Sequence, residues 1–114
     1  MSGEPVATGP APEKVSLRLR VGHLLRISSY LDIAVLAMWT GRRAEVLMGM
    51  AEASVKGYGP GGERGPDEKL LAKLRCLVGE AREYHAGNDF PAAMARMRVA
   101  QNLVDLRIVA IGGG

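Results

Sequence analysis

The chain is poor in the residues that staple or anchor small folds. It has one cysteine, Cys76, so no intrachain disulfide forms and a reducing, cytoplasmic setting is the expectation. Aromatic residues make up only 4% of 114 residues, with one Trp and one Phe. The core must therefore come from Leu, Val, Ile, Ala and six Met, a palette that suits helices better than sheets. The two histidines and Cys76 lie too far apart in sequence to match a zinc spacing. His85 has Glu80, Glu83 and Asp89 nearby, but no Glu-x-x-His pair of the di-iron type. The most apolar run, Ile33 to Trp39, is well short of the roughly 20 residues that a membrane span needs. No basic-plus-apolar leader opens the sequence. The glycine-rich segment GYGPGGERGP is not followed by a Lys-Ser or Lys-Thr helix start, which excludes a P-loop. The sequence calls for no cofactor, no metal and no membrane, and no catalytic constellation can be assembled from it.

What is present is amphipathic periodicity. Leu70, Leu71, Leu74, Leu77, Val78, Ala81 and Tyr84 recur at three- and four-residue spacing, the clearest helical stripe in the chain. Asp67 and Glu68 open this helix, placing acid at its positive end. Gly87-Asn88-Asp89 makes a turn, with Asn88 or Asp89 capping a last helix and Pro91 in its first turn. That helix carries Phe90, Met94, Met97, Val104, Ile108 and Ile111 on one face, and Val99, Leu103, Leu106 and Ala110 on another. Upstream, a long apolar segment runs to Trp39, breaks at Thr40-Gly41 and resumes from Arg42 to about Lys56. The expected organisation is a disordered tail over 1–13, then one helical domain over 14–111, then a tail at 112–114. Within the domain, a hairpin (14–56), a flexible connector (57–66) and a second hairpin (67–111) make a mainly α, four-helix bundle. A short N-terminal strand is the one departure allowed.

Tyr30–Trp39 and Leu103–Ile111 are apolar nearly all round. Helices apolar on two sides are sandwiched or lie at a subunit interface. A homodimer is expected, with Ile33, Leu36, Trp39, Leu103, Leu106 and Val109 as interface residues. Trp39 also reads as a core anchor at the end of its helix. Cys76 falls on a helix flank, the place of an inert packing thiol. The net charge of +3 is mildly basic, and eleven of the fifteen cations are arginine. This permits nucleic-acid contact without requiring it.

Three resemblances bear on function. The stretch VSLRLRV, a helix ending LAMWTG, and RRAEVLMGMAEASV together resemble the ribbon-helix-helix family of DNA-binding regulators and antitoxins. The likeness covers residues 14–56. It implies a strand pairing across a dimer, with Ser16, Arg18 and Arg20 facing base edges and Arg42 and Arg43 touching phosphates. The apolar excess of Tyr30–Trp39 and the lack of a Ser before Ala44 depart from the family pattern. A helical reading of the same start puts Leu17, Val21, Leu24, Ser28, Leu31, Val35 and Met38 on one stripe. It leaves Leu19 outside that stripe and Gly22 inside a helix. HLLRISSYLDIA resembles the histidine phosphotransfer domain, with His23 as acceptor, though Ile27 stands where a small residue is usual. EYHAGNDFPAAMARMRVAQ is similar to a single tetratricopeptide unit, where a solenoid needs at least about three. The leading expectation is a non-enzymatic interaction and assembly module, partnered by itself or by another protein. A DNA-binding regulator is the alternative and a phosphotransfer protein a distant third.

Overall fold

The computed structural model describes residues 15–113; the tail expected over 1–13 lies outside the described residues. Four helices follow one another: α1 (Leu17–Thr40), α2 (Ala44–Lys56), α3 (Glu68–Ala86) and α4 (Phe90–Gly113). No strand occurs among the described residues. α1 packs against α2 and α4, and α3 packs against α2 and α4, so the two hairpins close into a bundle. The pairs Ser28–Asp105, Asp32–Gln101 and Trp39–Phe90 show that α1 and α4 run antiparallel.

The strand reading of Val15–Val21 is corrected: Leu17–Val21 form the first turn of α1, with Ser16 as its N-cap, and Val15 precedes it outside any strand. The reason is packing. Helical spacing delivers Leu24, Ile27, Leu31, Ala34, Val35 and Met38 to the core, each at most 7% exposed. A strand-to-helix break at Gly22 would forfeit backbone hydrogen bonds in the first turns. The misfits of the helical reading sit at the surface. Leu19 is exposed, Ser28 is half-buried at the helix edge, and Gly22 has open space around it; Leu17, which that reading put on the core stripe, is exposed as well. α1 is also long and apolar enough, by length and composition, to cross a membrane; 39% of its most apolar window is buried in the bundle.

The breaks follow local chemistry. Gly41 adopts a left-handed φ of 73° and returns its N–H to the Ala37 carbonyl at 2.7 Å, ending α1. Asn88 takes a φ of 64°, and the Asp89 carboxylate accepts the Ala92 N–H at 3.2 Å, capping α4. The connector holds more structure than its composition announced, with one 3-10 turn at Gly62–Arg64. Gly61 has a φ of 93°, and a side chain there would come within 2.7 Å of the Gly65 Cα. A Cβ at Gly65 would collide with the Pro60 carbonyl oxygen. At the other end, α4 continues through Gly112 to Gly113, into the range 112–114 where a tail was expected. Glycine disfavours a helix by only about 1 kcal/mol per residue, so a packed helix can carry it at its last turn.

The core is aliphatic, as composition required. Leu70, Leu71, Leu74, Leu77, Val78 and Ala81 of α3 meet Ala93, Met94, Met97, Ala100 and Val104 of α4, all buried. Asp67 is the one buried charged residue among those described, at 1% exposure.

Candidate functional site

Three places carry features beyond core packing. The first is the outer surface of α1 and α4. Leu36, Trp39, Leu106 and Val109 are 62–67% exposed, with Leu25, Ile33 and Val99 at 43–50%. Leu103 is half-buried against the core. Between the two apolar stripes lies an exposed polar seam. There the Ser28 hydroxyl donates to Asp105, and the Gln101 amide donates to Asp32 at 2.8 Å. Antiparallel packing puts the two apolar segments at opposite ends of the α1–α4 pair, because Trp39 lies beside Phe90 and Ser28 beside Asp105. Trp39 is not the core anchor its position implied. It lies open to solvent, edge-on to Phe90 with ring centroids 5.4 Å apart.

The second is a three-element clasp around Asp67. Arg20 donates to its carboxylate through Nε at 3.0 Å and Nη2 at 2.8 Å, and Arg107 adds Nη1 at 2.7 Å. Burial alone would push this carboxyl up. The hydrogen bonds and charges of Arg20 and Arg107 outweigh burial and hold it below its ordinary value. Asp67 opens α3 as read, but its side chain makes no capping hydrogen bond to the helix. It links the start of α1, the start of α3 and the end of α4. The sequence signal was weak: an acid at a helix start is ordinary, and its partners lie 47 and 40 residues away.

The third is a groove between α1, α2 and the connector, about 410 Å³ in volume. His23, Arg26 and Tyr30 line it from α1, Met50 and Ser54 from α2, and Tyr58 from the connector. The connector folds over His23 so closely that a Cβ on Gly59 would stand 3.0 Å from the imidazole Cε1. Nδ1 of His23 is buried, with no hydrogen-bond partner among the described residues. Burial pushes the His23 pKa down, the Arg26 charge adds to this, and Asp67 opposes it. His23 is therefore half-buried beneath the connector instead of open on a helix face.

The five residues expected to bind DNA do not gather. Ser16 and Arg18 are exposed at the start of α1, while Arg20 is committed to Asp67. Arg42 and Arg43 are exposed beyond the far end of α1, about 35 Å away by helical rise. Cys76 is exposed, a correction to its reading as a packing thiol. Its thiol lies 3.4 Å from Glu80, and that hydrogen bond and charge push its pKa up. No family model matches the chain, and neither the curated proteins nor the solved structures contain a significant match.

Proposed function

We propose that this chain is a non-enzymatic helical assembly module that pairs with a second copy of itself through the outer face of α1 and α4. The observation that carries the reading is the exposure of Leu36, Trp39, Leu106 and Val109 on two adjacent helices. Isolated exposed apolar residues are ordinary on a protein surface, whereas stripes of them along neighbouring helices mark contact surfaces. The size is adequate. Two helices of 24 residues, about 36 Å long and about 10 Å wide each, offer roughly 700 Å². Stable interfaces bury about 800 Å² per partner. The polar seam of Ser28, Asp32, Gln101 and Asp105 would set register between two such faces.

Sedimentation equilibrium tests the proposal. The wild-type chain is expected to dimerise at micromolar concentration. Leu36→Glu with Leu106→Glu is expected to give a folded monomer by mass and circular dichroism, while Lys73→Glu on α3 leaves the dimer intact. A wild-type chain that stays monomeric up to ~100 µM would sink the reading. The ribbon alternative would require the first turns of α1 to unwind and Arg20 to leave Asp67. Its signature is a steep salt dependence of binding to duplex DNA that Arg18→Ala abolishes.

A further inference from the structure

We infer that the groove between α1, α2 and the connector is a binding site for a small organic carboxylate, with Arg26 holding the acid group. The site is on the α2 side of α1, apart from the assembly face, and does not rest on that proposal. Three observations converge. The volume, about 410 Å³, falls in the range of sites that take a small molecule with one or two rings. The lining joins an apolar body to a few polar tips: Met50 and the rings of Tyr30 and Tyr58 on one hand, and the Tyr hydroxyls, Ser54 and Arg26 on the other. Arg26 is the one cation in this lining, and like Arg18, Arg42, Arg43, Arg64 and Arg98 it makes no ion pair among the described residues, so its guanidinium is uncommitted.

The charge pattern selects the ligand class. A single guanidinium fork matches the two oxygens of one carboxylate. Phosphate sites gather several donors, commonly backbone N–H groups at a helix start, and this groove is lined by the middle of α1 and the end of α2. The Ser54 hydroxyl already donates to the Ala51 carbonyl at 2.6 Å, so it faces a ligand as an acceptor. His23 supplies the remaining polar edge. Its Nδ1 is buried without a partner among the described residues, which is an unusual state for a polar atom in a folded chain. That atom is enclosed beneath the connector, where a Cβ on Gly59 would stand 3.1 Å from it, so it is the rest of the His23 ring that lines the groove.

The test uses benzoate, indole-3-acetate and octanoate as probes, followed by amide NMR shifts and calorimetry on the full chain. At least one acid is expected to shift amides of residues 23–30 and 50–58 together. Its amide counterpart, benzamide for example, should bind at least about tenfold more weakly, and Arg26→Gln should weaken the acid by a similar factor. Arg26 is exposed, so this variant is expected to keep the wild-type fold; Tyr58→Ala serves as a second variant outside the helices. Inorganic phosphate should not compete. The inference fails if all three acids leave those amides unmoved at ~10 mM. It fails equally if acid and amide bind alike, if Arg26→Gln and Tyr58→Ala both bind as wild type does, or if phosphate displaces the acid.

Discussion

Asp67 is the residue whose replacement should be felt most. A buried carboxylate between two arginines is held by its partners, and removing its charge leaves cations facing a buried amide. Asp67→Asn is expected to lower the unfolding free energy by about 3 kcal/mol, read by urea denaturation. Arg107→Gln should lower it by only about 1 kcal/mol, because Arg107 is one-third exposed and Arg20 remains. The pH dependence separates two groups. His23 has a lowered pKa when folded, so the unfolded chain takes up its proton first. Stability should fall as pH drops below about 6.5, the ordinary histidine value, and His23→Gln should flatten this limb. Asp67, also lowered, contributes fully above 3.8 and is lost as pH falls through its folded value, giving a second, more acidic limb. Arg43 offers the opposite change. It sits exposed at a left-handed φ of 58°, so Arg43→Gly should raise the melting temperature, a gain of about 0.5–1 kcal/mol.

At the scale of elements, α1 is where the two readings of VSLRLRV meet a decisive substitution. Gly22 stands in mid-helix, and a Cβ added there would meet nothing within 4 Å. Gly22→Ala should therefore stabilise the chain by about 0.5–1 kcal/mol; a loss of stability would speak for a strand-to-helix bend. Gly65→Ala should destabilise, because the Pro60 carbonyl occupies the space a methyl group needs. Much of this level was legible in the sequence. The stripe from Leu70 to Ala81, the break at Thr40-Gly41 and the Asp89 cap all stand as read. These depend on neighbours three or four residues apart, which sequence spacing reports directly. The start of α1 was open because Leu17, Leu19 and Val21 satisfy a period of two, while Leu17 and Val21 also fit the helical spacing that continues to Leu24. The connector turn was hidden because its contacts, such as Gly59 over His23, join residues 36 positions apart.

At the scale of the whole molecule, the same limit explains the sites. The apolar surplus of α1 and α4 was visible as composition, and exposure of Leu36 and Leu106 follows from it. The Asp67 clasp and the Arg26 groove were not visible, since each is assembled across three elements, the groove by α1, α2 and the connector and the clasp by the closing of the bundle. That closing has a kinetic side. The clasp joins the start of α1 to the start of α3 and the end of α4, across separations of 47 and 40 residues. Helical hairpins made of local contacts form first, and interactions that span the chain come late. Asp67→Asn should then accelerate unfolding by roughly a hundredfold in stopped-flow experiments while leaving the refolding limb nearly unchanged. Arg20, Asp67 and Arg107 would act as a latch on the exit path, setting how long the native bundle survives more than how fast it is reached.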